Sequence, residues 1–395
     1  MSERWLSSIS RRAREVARVP SKELGDRAEE LARAGKDVLA LKGAPHWPPP
    51  EHVLEAARRA AGENVNAPSA GFPELRRAIA ASLAKEDGIA ADPEREILVT
   101  NGAMHALSIV FTTLLDPGDE VVMFHPGFFF FGIVELAGGV PVYAETRQET
   151  GWRWDPDALE RAISSRTKAI LLSSPANPTG YVADLETLDG VAGVAARHDL
   201  LVVSDECYDR ILYDGARHLR VASVPALEGR SVTVGSGTKS WVMQPWRVGY
   251  IIAPAPLTER FRNVLEWNVL SCSHVAQRAA QAVFEGPQEW LREIGARFER
   301  NRDTMIRALA TARGISFVRP RGGPFLFVNT EGLGMTGAEA SRILLEDYGV
   351  PCEAGALFGS ERHIRLSFGG ADDVVVEAGR RIAIATRAVV RAASP

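Results

Sequence analysis

Cysteines and long apolar runs are scarce in this sequence, and both absences restrict what the protein can be. The three cysteines, Cys207, Cys272 and Cys352, are far apart and lack the spacing of metal ligands, so we predict no metal site. A sparse, odd number of cysteines is typical of a reducing compartment. No run of about 18 apolar residues is present, which argues against a membrane span. The arginine-rich N-terminus has no apolar core of a secretory signal, so we expect a cytoplasmic protein.

A large excess of either charge is also missing. The formal net charge is -4, which implies no general attraction to nucleic acid or to anionic lipid. The 395 residues are 46% hydrophobic and 24% charged, as in ordinary globular proteins. The chain is long enough for a large core and for two or three domains.

Lysine is rare as well, and one of the six lysines has unusual surroundings. Lys239 is the only charged residue between Arg230 and Arg247, in a stretch rich in Gly, Ser, Thr and apolar residues. Partial burial disfavours an ammonium group and lowers its pKa. A neutral amine can attack a carbonyl group, so Lys239 is a candidate nucleophile. The other five lysines stand beside acids, at helix ends or in polar turns, where solvation explains them.

Short apolar segments alternate with helical patterns through the middle of the chain. This alternation is typical of a mainly parallel sheet that helices cover on both faces. We therefore predict an α/β fold with a seven-stranded sheet flanked by helices, followed by a smaller α+β domain. The seven predicted strands are 97–100, 120–124, 141–144, 169–173, 200–204, 232–235 and 248–253.

The predicted domain boundaries follow the change in pattern near residue 290. Residues 1–50 form an N-terminal segment that belongs to the small domain, 51–290 the large domain, and 291–395 the small C-terminal domain. Four further predictions concern single elements: strands at 37–41 and 350–352, and continuous helices at 128–137 and 257–285.

Polar residues follow several predicted strands, where the loops at the carboxyl ends of a parallel sheet form a ligand crevice. Each has an ordinary structural explanation: a βα turn for Gly102, a rigid loop for Asn177, a helix cap for Asp205, and a salt bridge for Arg365. A single ligand would explain them together. It would carry a phosphate, a carbonyl for an amine, a ring nitrogen that needs a carboxylate, and a co-substrate carboxylate. Pyridoxal 5′-phosphate with an amino acid fits this description.

At this point the sequence resembles the class I/II aminotransferases, the fold-type-I pyridoxal-phosphate enzymes related to aspartate aminotransferase. The resemblance runs from about Val38 to Ile384, and its motifs occur in the family's order. They include Gly43-Ala44-Pro45, Asn101-Gly102-Ala103, Asn177-Pro178-Thr179-Gly180, Ser204-Asp205-Glu206-Cys207-Tyr208, Ser236-Gly237-Thr238-Lys239, Trp246-Arg247-Val248-Gly249-Tyr250 and Arg365-Leu366-Ser367-Phe368.

The resemblance implies a function: an aminotransferase that acts on an L-α-amino acid and a 2-oxo acid through a Lys239 Schiff base. It implies that Lys239 also moves the proton at the substrate carbon, and that Asp205 pairs with the pyridine nitrogen. Tyr208 and Asn177 would hydrogen-bond the phenolic oxygen. The phosphate group and ring would be held by Gly102, Ala103, Met104, Phe128, Ser236, Thr238 and Arg247.

The substrate carboxylate is expected at Arg365, with Gly43 and Asn177 nearby. The resemblance also implies a homodimer with a site at the subunit interface. The family's interface tyrosine is replaced by Asn66, Pro245 replaces a glycine, and Ala354 stands where proline is common. These departures leave the substrate open. The matched pocket positions hold no cation apart from Arg365, and the apolar Met104, Trp47 and Phe128 favour a neutral or bulky side chain.

Other interpretations of the motifs are weaker, except for one within the same fold. The Ser236–Lys239 segment has the S-x-x-K form of serine acyl enzymes but lacks their partner motifs. A nucleotide-binding loop needs glycine where Thr238 stands. A regulator would need a DNA-binding segment that about 40 N-terminal residues of balanced charge do not supply. Elimination, replacement, carbon–carbon bond formation or O₂-dependent oxidation on the same cofactor stays open, because Lys239 and Asp205 serve all of these reactions.

Overall fold

The computed structural model describes residues 8–41 and 47–392. Fourteen α-helices and eleven strands occur in this part of the chain. The helices are α1 Arg11–Glu15, α2 Pro20–Arg33, α3 Glu51–Ala61, α4 Pro73–Asp87, α5 Ala103–Leu114, α6 Phe131–Leu136, α7 Pro156–Ala162, α8 Leu185–Arg197, α9 Gly237–Ser240, α10 Ala255–Val269, α11 His274–Glu285, α12 Glu289–Leu309, α13 Gly337–Tyr348 and α14 Asp372–Ala392.

A seven-stranded sheet forms the centre of the molecule. Its order is β1-β7-β6-β5-β4-β2-β3, and within this sheet, as far as the structure describes the chain, only β7 runs antiparallel to its neighbours. Buried apolar side chains fill the inner strands, as expected where helices cover both faces. These observations confirm the predicted α/β fold and its mainly parallel sheet. The strands are β1 Ile97–Thr100, β2 Glu120–His125, β3 Val140–Glu145, β4 Thr167–Ser173, β5 Leu201–Asp205, β6 Ser231–Ser236 and β7 Gly249–Ile252.

A second, antiparallel sheet of four strands lies in the C-terminal part of the chain. Its order is β10-β11-β9-β8, and α13 connects β9 with β10. In the register of this sheet, Glu353 of β10 is directly opposite Arg365 of β11. The strands are β8 Ser316–Phe317, β9 Phe325–Asn329, β10 Glu353–Ala354 and β11 His363–Ser367.

The predicted helix at 257–285 is wrong, because the structure has two helices there. Leu270 follows α10 with a φ of 59°, a left-handed conformation that stops a helix. Ser273 then begins α11, and its hydroxyl accepts a hydrogen bond from the backbone N–H of Ala276. The apolar residues have helical spacing on both sides of this break, so their periodicity does not reveal it.

Three other predicted elements also differ from the structure. The segment 37–41 is not a strand; its Leu39 N–H donates to Gly349 O without forming a ladder. Helix α6 begins at Phe131 and not at 128, because the backbone N–H of Gly127 donates to Phe358 O and holds the chain in a loop. The strand predicted at 350–352 is instead β10, which begins at Glu353. The sequence analysis therefore missed the pairing of Glu353 with Arg365.

The domain boundaries at residues 50 and 290 remain a proposal. Contacts between the N-terminal segment and the C-terminal part support it. Arg27 pairs with Glu346 at 3.0 Å, and Lys36 donates to the Glu346 backbone oxygen at 2.8 Å. These contacts are consistent with the predicted grouping of the N-terminal segment with the small domain, which stays a prediction.

Candidate active site

The carboxyl edge of the large sheet collects the polar residues that the sequence singled out. Loops after β1, β2, β4, β5 and β6 meet at this edge because these strands are parallel. Strand β7 runs the other way, so Arg247, two residues before its start, lies at the same edge. The cleft there has a volume of about 90 Å³. It is lined by Ala103, Met104, Phe128, Phe130, Ser173, Asn177, Asp205, Cys207, Tyr208, Ser236, Thr238, Lys239 and Arg247.

Lys239 lies on the short helix α9, directly after β6. The pKa of its amine is lowered to about 8, mainly by burial; Cys207 and Asp205 oppose this shift, and Arg365 and Arg247 contribute to it. Within the described part of the chain, Lys239 forms no ion pair. A substantial fraction of its amine is therefore neutral near pH 8, as a nucleophile requires.

Asp205 ends the buried strand β5 and is 9% exposed. Its Oδ1 accepts a hydrogen bond from the Cys207 backbone N–H at 3.1 Å. Burial raises the pKa of the Asp205 carboxyl to about 6, which the Cys207 contacts and Lys239 partly offset. No arginine or lysine of the described residues pairs with it. A cationic or N–H group of a ligand would stabilise its charged form.

Gly102 and Arg247 form a cradle at the N-terminus of α5. Gly102 caps this helix with a φ of 85°, where a side chain is unfavourable. A Cβ atom at this position would lie 2.7 Å from Nη2 of Arg247, so the close approach requires glycine. Arg247 Nη1 donates to Gln244 O at 3.0 Å and to Thr238 Oγ1 at 3.4 Å, and pairs with no carboxylate in the ranges described. The helix N-terminus and this free cation favour an anion.

Tyr208 and Asn177 lie deeper in the cleft. Burial raises the pKa of the Tyr208 phenol, so its hydroxyl stays protonated and can donate a hydrogen bond. Asn177 Oδ1 accepts a hydrogen bond from Nη1 of Arg365 at 2.8 Å. The amide nitrogen of Asn177 therefore points away from Arg365 and can donate to a ligand. The ring of Phe128 packs against Phe129 with centroids 4.1 Å apart.

Arg365 has a carboxylate partner that the sequence analysis did not identify. Its Nη2 donates to Glu353 Oε1, and its Nε lies 3.4 Å from Glu353 Oε2. Phe325 and Phe358 lie against the guanidinium at 4.2 and 4.6 Å from their ring centroids. The pairing follows from the register of β10 and β11, so a correct strand prediction at 353–354 would have revealed it.

A buried ionic network supports the segment that carries Asp205 and Tyr208. Arg220 pairs with Asp87 at 2.6 Å, Glu206 at 2.9 Å and Asp209 at 2.6 Å. Ser240, next to Lys239, donates to Asp209 Oδ1 at 2.7 Å. The network connects the loop after β5 with α9 and fixes their separation. It combines residues from distant parts of the chain, so motif inspection did not find it.

Most of the predicted site residues therefore line one cleft. Gly102 and Arg365 do not line it but contact the lining residues Arg247 and Asn177. Gly43 lies outside the described residues, and Asn66 does not line the cleft of this chain. Phe130, Ser173 and Cys207 line the cleft but were not predicted. Ser173 and Cys207 adjoin the predicted strand ends, which is the signal that could have identified them.

The donor set fits pyridoxal 5′-phosphate. A poorly solvated amine can bind its aldehyde, and a buried carboxylate suits its ring nitrogen. The anion cradle at α5 suits its phosphate, while hydrogen-bond donors at Tyr208 and Asn177 suit its phenolic oxygen. The described residues contain no cluster of three or more His, Cys, Asp or Glu that could hold a metal ion. Within the same residues, no helix combines the length and the apolar character that a membrane crossing needs.

Comparison with known proteins identifies the class to which this fold and cleft belong. The family described as "Aminotransferase class I and II" matches residues 40–382. The aspartate aminotransferase of Geobacillus stearothermophilus is 35% identical over 90% of this chain and 93% of its own length.

Solved structures give the same result. The aspartate aminotransferase of Thermus thermophilus with maleate has a TM-score of 0.90 and 35% identity, over 95% of this chain and 99% of that one. The aromatic aminotransferase of Pyrococcus horikoshii has a TM-score of 0.86 and 31% identity, over 93% and 99%. The chain belongs to the class I and II aminotransferase family. This membership confirms the predicted fold type and the prediction of an aminotransferase.

Proposed function

We propose that the protein is a pyridoxal-phosphate-dependent aminotransferase that uses Lys239 as its reactive amine. The observation that carries this proposal is the geometry of one cleft, in which a low-pKa amine, a buried carboxylate and an anion cradle face a common space. Membership of the aminotransferase family supports it independently.

The residues of the cleft divide the chemistry between them. When bound, the cofactor supplies an aldehyde for amines and a ring that accepts electrons from the substrate carbon. Lys239 Nζ would attach the cofactor covalently and would carry the proton at the substrate carbon. The charge of the Asp205 carboxylate would keep a proton on the ring nitrogen. The phosphate group would be held by Gly102, Ser236, Thr238 and Arg247, and the phenolic oxygen would accept hydrogen bonds from Tyr208 Oη and Asn177 Nδ2.

The amino donor that we propose is an L-α-amino acid, which leaves as its 2-oxo acid. The apolar side chains of Met104, Phe128 and Phe130 at the cleft support a neutral or bulky side chain over a dicarboxylate. The amino acceptor that we propose is a 2-oxo acid. Arg365 is the proposed contact for a substrate carboxylate.

The test is to add single L-amino acids to the holoenzyme and follow the cofactor spectrum. We expect the pyridoxamine form to accumulate together with one equivalent of the 2-oxo acid. Release of ammonia or hydrogen peroxide without the pyridoxamine form would contradict the proposal and favour the elimination or oxidation chemistry of the same fold.

We also propose that the protein is a cytoplasmic homodimer that acts on small molecules and binds neither nucleic acid nor membranes. Trp267 and Leu270, at the end of α10, are 94% and 76% exposed in the single chain, which supports a protein contact there. Sedimentation at enzyme concentrations used for assay tests this point. A monomer that stays active at high dilution would contradict it.

A further inference from the structure

The helix that carries Lys239 is too short to hold its own position. Helix α9 has four residues, and a single helical turn is marginal without tertiary contacts. The pairing of β5 with β6 ends at Asp205 and Val234, so the ladder does not fix the residues that follow each strand. A contact between α9 and the loop after β5 adds the restraint that the backbone ladder does not supply.

Ser240 makes such a contact through one hydroxyl group. This residue is buried, with 2% of its surface exposed. Its Oγ donates to Asp209 Oδ1 at 2.7 Å and lies 3.1 Å from a second acceptor, Cys207 O. It also accepts a hydrogen bond from the backbone N–H of Arg210 at 3.4 Å. A single atom of α9 is therefore bonded at three positions of the loop after β5.

Cys207 connects this hydroxyl to the carboxylate of the cleft. Its backbone oxygen faces Ser240, while its backbone N–H donates to Asp205 Oδ1 at 3.1 Å. One residue thus lies between Asp205 and the chain neighbour of Lys239. Movement of α9 away from the loop would change the position of the amine relative to the carboxylate.

Asp209 is held at its other oxygen, so it gives Ser240 a fixed acceptor. Arg220 Nη2 donates to Asp209 Oδ2 at 2.6 Å. Burial raises the pKa of the Asp209 carboxyl, but Arg220 and Arg210 lower it more, and the net pKa is below its usual value. The carboxyl is therefore charged at neutral pH. A hydrogen bond to a charged acceptor is shorter and about twice as strong as one between neutral groups.

We propose that Ser240 is a positioning residue for Lys239. Its hydroxyl holds α9 against the loop after β5, so that the Lys239 amine keeps its poorly solvated place beside Asp205. Ser240 acts through its neighbour and needs no contact with a ligand. This inference rests on the proposed function, because a fixed amine serves the capture of the cofactor aldehyde.

Release of α9 should change the titration of the Lys239 amine. Burial is the main cause of its lowered pKa, and the charged or titratable groups that act on it are Cys207 and Asp205 from the β5 side, Arg247 before β7 and Arg365 on β11. An amine that gains solvent loses the effect of burial, and its pKa rises toward that of an ordinary lysine. The neutral fraction at a given pH then falls.

The test compares Ser240→Ala, which removes the hydroxyl, with Ser240→Thr, which keeps it, in the full chain. Thr258→Val is the matched control, because Thr258 is also buried and its hydroxyl donates to Ala253 O at 3.0 Å, beyond the end of β7 that is farther from the cleft. Stopped-flow absorbance records the rate at which the cofactor-free protein captures pyridoxal phosphate at a series of pH values. In parallel, acetic anhydride labels the cofactor-free protein, and mass spectrometry gives the labelling of Lys239 relative to the exposed Lys168 at each pH.

For Ser240→Ala we expect the midpoint of both pH profiles to rise by about one pH unit, which slows capture at pH 7 by about tenfold. Ser240→Thr should restore the midpoint of the unaltered protein, and Thr258→Val should not move it. Urea unfolding of each variant separates a loss of stability from a change at the amine. Because the profiles are compared between variants, titration of pyridoxal phosphate itself cancels.

Two results would count against the proposals in distinguishable ways. A Ser240→Ala protein that is less stable in urea but keeps both pH profiles shows a contact that is only structural, which contradicts this inference and leaves the proposed function standing. If pyridoxal phosphate forms no adduct with Lys239 in the unaltered protein, the proposed function fails, while the acetic anhydride profiles still test the place of the amine. Should Ser240→Ala fold poorly, Ser240→Cys keeps a weaker donor of similar size, and its midpoint should rise by a smaller amount. An unchanged midpoint in that variant would also contradict the inference.

Discussion

The two ends of the cleft differ in how their charges are balanced. At the proposed cofactor end, Lys239, Asp205 and Arg247 form no ion pair within the described ranges of the chain. Burial lowers the pKa of Lys239 and raises the pKa of Asp205, which favours the neutral form of each group. At the other end, Arg365 pairs with Glu353 and donates a hydrogen bond to Asn177. The charges of the first end have no partner of opposite charge in the described residues, whereas the guanidinium of the second already has a carboxylate partner within the protein.

This difference teaches how stability and function are distributed in one site. Buried charges without partners cost folding free energy, and such costs are common where a ligand later supplies the partner. Removal of one member of a buried ion pair is strongly destabilising, because it leaves the other charge buried without a partner. Removal of a charge should therefore have opposite effects on stability at the two ends.

The largest expected effect is on catalysis at the cofactor end. Lys239→Ala removes the reactive amine, and turnover should fall by about 10³-fold or more, since both covalent attachment and proton transfer are lost. Steady-state kinetics of the variant measure this. Lys168→Ala, which removes an exposed lysine of β4, is the control and should keep its activity. An active Lys239→Ala enzyme would refute the assignment.

The next largest effect concerns the stability of the Arg365 end. Arg365→Met leaves the Glu353 carboxylate buried without a partner and should destabilise the cofactor-free protein by about 3–5 kcal/mol. The double variant Arg365→Met/Glu353→Val removes both charges and should recover most of this loss. Urea unfolding of the two variants provides the measurement. If Arg365→Met is as stable as the unaltered protein, the pair does not stabilise the fold.

The features of the site that could be predicted from the sequence are those that depend on neighbouring residues and not on contacts between distant ones. Lys239 and Asp205 could be predicted because each is a charged residue beside a buried apolar strand, a local signal. The Glu353 contact could not, since it depends on the register of a two-residue strand that periodicity places three residues too early. The Arg220 network joins α4 with segments more than 100 residues away, which no local pattern encodes.

The same contrast explains which parts of the fold were predicted. Alternating apolar strands and helices specify a parallel sheet, because both faces must be buried. The ends of the helices were predicted less accurately. The break at Leu270 depends on a left-handed backbone conformation that a leucine rarely adopts, and the late start of α6 depends on a hydrogen bond to Phe358 in another part of the chain.

A smaller and opposite change in stability is expected for Asp205→Asn. Because the folded-state pKa of Asp205 is raised to about 6, the folded protein binds a proton more tightly than the unfolded chain between about pH 4 and 6, and stability falls as pH rises through this window. The variant should be more stable than the unaltered cofactor-free protein by about 1–3 kcal/mol above pH 6. The difference should vanish below about pH 4, where the carboxyl is neutral in both states. Unfolding curves at several pH values give the sign of this stability difference. A variant that is less stable than the unaltered protein above pH 6 would contradict the prediction.

The smallest effect is the pH dependence of the Lys239 amine. Its folded-state pKa of about 8 means that the neutral fraction rises with pH and levels off above that value. The rate at which cofactor-free protein captures pyridoxal phosphate should therefore rise by about tenfold from pH 6 to pH 7 and change little above pH 9. Stopped-flow absorbance gives this profile. A rate that keeps rising beyond pH 10 would indicate a solvated lysine.

The central claim is that one amine in the cleft holds an aldehyde cofactor beside a buried carboxylate. Borohydride treatment of the purified holoenzyme, followed by peptide mapping with mass spectrometry, tests it most directly. We predict a phosphopyridoxyl group on the peptide that contains Lys239 and on none of the peptides that contain the other five lysines. Modification of a different lysine, or of none, would contradict the account.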